Sequence, residues 1–238
     1  MDKSASPVLV AAQRVLQRRM DVVANNIANL GTGGYRSQAM VTSENVTWSG
    51  GASVSLPRMA SALTNTASGE VTPTGGTLDF AIDGPGFFLL QDETGARFLT
   101  RNGAFSIDAA GRLVSSEGAV VLDAGGAPVV LPPGDGPVAA ASDGTLSRGE
   151  DVLGALGIWD TPGAPARRGA ALFKAPEDAA ALPGGRVTQG MLERSNVRPV
   201  HELAAMIETS RAYERVQDLL EREDQRIRNV IETFARAS

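Results

Sequence analysis

Residues 200–234 read VHELAAMIETSRAYERVQDLLEREDQRIRNVIETF, and within them Met206, Tyr213, Leu220, Ile227 and Phe234 fall at an unbroken seven-residue interval. A heptad repeat keeps its apolar residues on one narrow seam of a helix. Leu203 and Ile231 flank the seam, and Ser210, Gln217 and Asp224 interrupt it. Pro199 suits the first turn, where its missing N–H costs nothing. The spacing predicts a helix from about Val200 to Phe234, longer than the ~8–20 residues usual in globular proteins.

A seam this narrow does not hold a helix alone. Ordering each residue costs roughly 1–2 kcal/mol of backbone entropy, and burying one large apolar side chain returns only about 1.5–3 kcal/mol. A partner is therefore needed, and the other end of the chain supplies one. Leu9, Ala12, Leu16, Met20, Val23, Ile27 and Leu30 recur at spacings of three and four, a second apolar stripe. This helix is expected to stop at Gly31, because Gly31-Thr32-Gly33-Gly34 supplies turn conformations.

Glycine divides the 238 residues into zones: all 27 glycines lie between Gly31 and Gly190, so both ends are free to be helical. The middle reads as β. Leu78 to Asp83 alternates, Gly84-Pro85-Gly86 turns the chain, and Phe87 to Leu90 is a buried run. Short strands follow at 97–101, 104–108, 112–114 and 119–122, with Asn102-Gly103 as the strongest hairpin signal. Leu153 to Trp159 is the clearest strand of the Ala-, Pro- and Gly-rich span 123–189. The expected fold is α+β: terminal helices paired as a coiled-coil-like domain, 1–35 with 190–238, and a Gly-rich antiparallel β-domain, a meander or small barrel, at 71–189. Residues 36–70 are polar and read as an extended connector.

Composition removes much conventional chemistry. With no cysteine there is no disulfide, thiolate metal site or cysteine nucleophile. His201 is the one histidine, so no single-chain site can use two imidazoles. The net charge of −5 is concentrated in residues 41–189, with nine basic and sixteen acidic side chains, and no basic face for nucleic acid is visible. No run approaches the ~18–20 apolar residues of a membrane span, and the start is too short in apolar residues for a secretory signal. Asp79, Asp83, Asp92, Asp108 and Asp123 could pair for glycoside hydrolysis, yet each stands beside a turn, where aspartate is favoured for local hydrogen bonding. The reading is a chain without catalytic, metal or cofactor site, small-molecule substrate or membrane insertion. One cluster asks for more: Asn25, Asn26 and Asn29 place three amides at the end of an apolar helix, as a hydrogen-bonding face toward another protein surface would.

Ala24-Asn25-Asn26-Ile27-Ala28-Asn29, followed by Thr32, Gly34 and Tyr35, resembles the N-terminal motif of the bacterial flagellar rod and hook proteins. Gly190-Met191-Leu192-Glu193-Arg194-Ser195-Asn196-Val197 resembles their second signature, extended by Met206-Ile207 and Arg211-Ala212-Tyr213-Glu214. Ile82-Asp83-Gly84, Gly86-Phe87-Phe88 and Thr100-Arg101-Asn102-Gly103-Ala104-Phe105 resemble the β-domain that these proteins share. Gly31 and Gly33 depart from the family pattern, which favours Asn or Asp and then Pro or Thr. Length, a single modest β-domain and the polar tail look most like the proximal-rod branch, with the distal-rod branch as the close alternative.

The resemblance implies a structural subunit that leaves the cell through the flagellar export apparatus without a cleaved signal peptide. It implies assembly in the periplasmic rod with proximal- and distal-rod subunits, by packing of the terminal helices into a tube that transmits torque. The residues expected at subunit interfaces are Asn25, Asn26, Asn29, Thr32, Gly34, Tyr35, Gly190, Glu193, Ser195, Asn196, Met206, Arg211, Tyr213, Glu214, Leu220 and Ile227. The alternative from another class is a coiled-coil adhesin or phage-tail-type binding module. A solvent-facing aromatic platform in the β-zone would favour it, yet Trp48 and Trp159 are the only tryptophans.

Overall fold

A computed structural model describes residues 5–49, 52–163 and 165–236, and of residues 5–6, 44–49 and 52–60 only the backbone. Two compact units emerge. The first joins Met1–Ala28, Gln38–Asn65 and Arg198–Ser238; the second joins Asn29–Ser37 and Thr66–Val197.

In the first unit, helix α1 (Ala5–Ala28) and helix α2 (Pro199–Arg236) run antiparallel. The direction is fixed by Gln13, whose Nε2 donates to the Tyr213 hydroxyl at 3.1 Å, and by Arg19, which reaches Glu208 at 3.5 Å. Pro199 begins α2, where its fixed φ suits the first turn. α1 ends at Ala28, earlier than Gly31, and a turn takes over in which the Thr32 N–H donates to the Asn29 carbonyl at 3.2 Å. Val23 is buried and the other stripe residues of α1 are half-buried. Thr209 is fully buried on α2, and its hydroxyl is satisfied by the Ala205 carbonyl at 2.7 Å. The heptad seam continues past the middle of α2, but Ile227 is 39%, Ile231 61% and Phe234 71% exposed.

The stretch 36–70, expected to be an extended connector, instead contains a long antiparallel hairpin, strands β1 (Gln38–Ser49) and β2 (Ala52–Thr64). It lies against α1 and belongs to the helical unit. Its register shifts between Val41 and Thr42, a bulge.

The second unit is antiparallel throughout. Its main sheet runs in the order Leu172–Lys174, Arg97–Thr100, Phe87–Gln91, Val120–Leu122, Leu113–Ser115, Phe105–Ile107, and it remains open rather than closing as a barrel. Strand Ile158–Asp160 adds to Phe87–Gln91 from the side. Side chains alternate between two cores, as a pleated strand requires. Phe88 and Leu90 join Phe80, Ile82, Phe98 and Leu113 on one face, and Leu89 joins Leu99, Leu122, Trp159 and Phe173 on the other. Phe88 meets Phe105 edge-on at 5.2 Å between ring centroids.

Two expectations are corrected. Asn102-Gly103 is not a two-residue hairpin, since Arg97–Thr100 pairs with Phe87–Gln91 while Phe105–Ile107 pairs with Leu113–Ser115. Gly103 is there because a Cβ would lie 1.8 Å from the Phe80 carbonyl oxygen. The strand expected at 153–159 is two strands, Asp151–Ala155 and Ile158–Asp160, in different sheets. They part at Gly157, whose missing Cβ lets the Asp123–Ala124 backbone approach.

The turn aspartates behave as their positions suggest. Asp92, Asp108 and Asp123 each accept two backbone N–H bonds, from the second and fourth residues onward, at 2.8–2.9 Å. Asp143 accepts one from Thr145 at 2.9 Å. The Asp92 carboxyl is held below its ordinary value first by the Thr94 hydroxyl, Asp108 by the Arg112 backbone N–H and Asp143 by the Thr145 backbone N–H. A carboxylate depressed in the native state contributes stability in full above its ordinary pKa, here 3.8, and loses it as pH falls through the lowered native value. Denaturant titrations at successively lower pH are expected to show stability falling below pH ~4. The triple variant Asp92→Asn, Asp108→Asn, Asp143→Asn is expected to flatten that fall, and an unchanged slope would assign it to other carboxylates.

Candidate functional site

The signature residues gather in the second unit around one buried carboxylate. Strand Met191–Glu193 pairs with Val71–Pro73 and brings Glu193 inside, where it is 1% exposed. Arg36 approaches from the segment that follows α1, its Nη2 2.9 Å from Glu193 Oε1. Arg101 comes from the end of strand Arg97–Thr100, its Nη1 3.3 Å from Oε2. The Gly69 N–H donates to Oε1 at 2.9 Å. Arg36 also donates to the Ala67 carbonyl, and Arg101 to the Gly84 carbonyl at 2.7 Å while its guanidinium lies 5.4 Å from the Phe87 ring centre.

Electrostatics make this cluster demanding. Burial pushes both guanidiniums below their ordinary pKa, and the Glu193 charge pulls them back. Two cations share one anion, so the cluster carries net positive charge in a dry setting. Removing the anion leaves both cations uncompensated.

The backbone around the cluster is equally constrained. Gly34 has φ +65°, its N–H donates to the Glu193 carbonyl at 2.8 Å, and a Cβ would stand 2.4 Å from the Asn102 nitrogen. Gly190, at φ +73°, accepts from the Thr74 N–H at 2.8 Å and the Gly75 N–H at 3.1 Å. The Asn196 side chain accepts from the Ser37 N–H and donates to the Ala67 carbonyl, both at 2.7 Å. The Ser195 hydroxyl accepts the Val197 N–H at 3.3 Å. Tyr35 is fully buried beneath the Arg167 guanidinium, 4.6 Å from its ring centre, and Arg167 stacks on Phe173 and donates to the Arg36 carbonyl.

Residues expected at subunit interfaces thus divide into two sets. Gly34, Tyr35, Gly190, Glu193, Ser195 and Asn196 meet in this collar, and Thr32 bonds to Asn29 through its hydroxyl at 3.1 Å. In the helical unit Asn26 is 1% exposed, and its side-chain amide both donates to the Gln38 carbonyl and accepts the Gln38 N–H, each at 2.9 Å. Met206, Tyr213 and Leu220 are half-buried on α2, while Asn25, Arg211, Glu214 and Ile227 are exposed. Sequence reasoning missed Arg36, Gly69 and Arg167 altogether. No spacing pattern signals a pair formed by residues so distant along the chain. Trp159 is buried, its indole N–H donating to the Asp123 carbonyl at 3.2 Å, so it presents no aromatic platform; the Trp48 side chain lies outside the described residues.

The stretches that form the helix pair and part of the β-unit each match a known family. Residues 8–36 match the family described as flagella basal body rod protein, 81–148 the flagellar hook protein FlgE/F/G D1 domain, and 188–233 the flagellar basal body rod FlgEFG protein C-terminal. The chain belongs to the flagellar basal-body rod and hook protein family. Within it the chain is FlgF-like: it is 36% identical over 218 residues to the flagellar basal-body rod protein FlgF of Mesorhizobium japonicum, covering 90% of each chain. FlgF of Caulobacter vibrioides is 36% identical over 236 residues, 95% of this chain and 96% of the relative. FlgG of Bacillus subtilis is 27% identical over 254 residues, with 93% and 96% covered.

Two substitutions probe the collar and the hairpin anchor. Glu193→Ala strands two buried guanidiniums and is expected to destabilise the β-unit by about 3–5 kcal/mol, read as a shift in the denaturant midpoint; a shift within error would mean that the cluster is solvated. Asn26→Ala leaves the Gln38 N–H and carbonyl without their partner. It is expected to cost about 1–3 kcal/mol, with faster amide exchange at the start of β1 as its local signature.

Proposed function

We infer that this chain is a structural subunit of the flagellar basal-body rod, of the FlgF or proximal-rod type, that polymerises through its terminal helices into a torque-transmitting tube. The observation that carries the reading is the coincidence of sequence and architecture. The two matches to rod families, at residues 8–36 and 188–233, cover most of α1, much of α2 and the Arg36 and Glu193 segments of the collar.

The physics of the helix pair supports assembly. Ile227, Ile231 and Phe234 keep an apolar seam in contact with solvent, a cost that burial against neighbouring subunits removes. Asn25, Arg211, Glu214 and Ile227 are the exposed members of the expected interface set and are the residues through which rod subunits meet. Asn26, Gly34, Tyr35 and Glu193 act instead inside the subunit, shaping the body that assembles. The chain works as a building block rather than an enzyme. It takes its place in the periplasmic rod beside other rod subunits, delivered by the flagellar export apparatus without a cleaved signal. A distal-rod, FlgG-type position is the close alternative, since FlgG relatives also align over most of the chain.

Electron microscopy of basal bodies from a strain lacking this chain tests the reading. Rods that are truncated or absent, and restored by the intact gene, are the expected outcome. Truncation near the inner end identifies a proximal subunit and truncation further out a distal one. Complete rods bearing filaments would remove the chain from the rod.

A further inference from the structure

α1 and α2 each bury one face against the other, and each carries a second row of residues on the opposite side. On α1, Arg14, Arg18, Asp21, Asn25 and Ala28 follow at spacings of four, three, four and three, and all five are exposed. Such spacing keeps side chains on one helical face. On α2 the row is Val200, Leu203, Ile207, Arg211, Glu214 and Asp218, again exposed throughout. Its first three members are 82%, 53% and 54% exposed, a large apolar area for a helix end to leave in water.

The two rows are complementary when laid antiparallel. We propose that the α1 row of one copy docks on the α2 row of a second copy of this chain, pairing Arg14 with Asp218, Arg18 with Glu214 and Asp21 with Arg211. This rests on the rod-subunit reading and names the partner and register of that assembly. In the same register Asn25 and Ala28 fall over Ile207 and Leu203, so the small end of one row covers the apolar end of the other. Arg18 and Asp21 touch within the chain at only 3.9 Å, with 69% and 60% of their side chains exposed, and remain available.

Register is specified by sign. Sliding α1 one step along the row in one direction sets Asp21 against Glu214; sliding it the other way sets Arg18 against Arg211. Each shift replaces an attraction with a like-charge contact, the device by which charged rims fix register more than affinity. Exposed ion pairs are weak singly, so the apolar residues supply much of the attraction and the charges select the alignment. Within one chain Gln13 lies level with Tyr213 and Arg19 with Glu208. The intermolecular register is displaced from this by roughly five to six residues, about 8 Å along the helix. A contact between different surfaces, displaced along the axis, propagates from copy to copy instead of closing on itself.

Two charge-reversed full-length chains test the pairing. One carries Arg14→Glu and Arg18→Glu; the other carries Glu214→Arg and Asp218→Arg. By sedimentation velocity at low salt, the unaltered chain is expected to associate with rising concentration and each variant alone to associate about tenfold more weakly or worse. An equimolar mixture of the two is expected to recover, because the reversed α1 row then meets the reversed α2 row. Circular dichroism checks that helix is kept, and a milder Arg18→Gln and Glu214→Gln double-mutant cycle substitutes for any variant that loses it, with zero coupling counting against the pairing. No self-association of the unaltered chain, undiminished association of the separate variants, or a mixture no better than either alone overturns the proposal. The basal bodies of the deletion strain report on the rod reading separately: complete rods there would refute that reading while leaving the sedimentation result intact.

Discussion

Glu193, buried between Arg36 and Arg101, is the interaction on which the β-unit depends. Neither guanidinium could remain charged and buried without it, and each belongs to a different part of the chain. Around that carboxylate Gly34, Gly69 and Asn196 tie together three passages of backbone, 34–37, 67–69 and 193–196, through direct hydrogen bonds. All of these passages lie in or beside the segments that leave the β-unit toward the helical unit in sequence. A buried ion pair often contributes little against an apolar replacement, but breaking one is costly. The collar is therefore intolerant of single changes whatever its net contribution to stability.

The helical unit solves a different problem. Its inner seam is narrow and partly polar, with Gln13 bonded to Tyr213 and Thr209 turned back on its own helix. Such a seam aligns two helices without isolating them from further partners. At the end of α1, Asn26 holds the hairpin of β1 and β2 by mimicking a strand neighbour for Gln38.

How legible this was in the sequence depends on the range of the interaction. The helices were readable because apolar periodicity and the absence of glycine are local signals, and α2 starts at Pro199 as its fixed φ suggests. The β-strands from Phe80 to Leu122 were readable to within a few residues for the same reason, whereas most of the short strands beyond them carry too little pattern to be seen. Asn102-Gly103 misled because the glycine answers to the Phe80 carbonyl, a distant neighbour, rather than to a turn. The hairpin at 38–64 was hidden because its strands are polar, with only weak alternation. The three asparagines suggested an outward face, whereas Asn26 satisfies Gln38 inside the chain. Arg36 was invisible: an arginine after a turn carries no mark of the glutamate it will meet.

That distance along the chain has a kinetic side. Glu193 closes contacts with Gly69 and Arg101 across 124 and 92 residues, and with Arg36 across more than half of the chain. Contacts of such sequence separation form late, since their loop-closure entropy must be met before they return anything. While synthesis is still short of residue 193, Arg36 and Arg101 have no anion to bury against and stay hydrated. The collar is thereby left open for most of the time that the ribosome takes to make the β-unit, and it shuts only as the last fifth of the chain arrives.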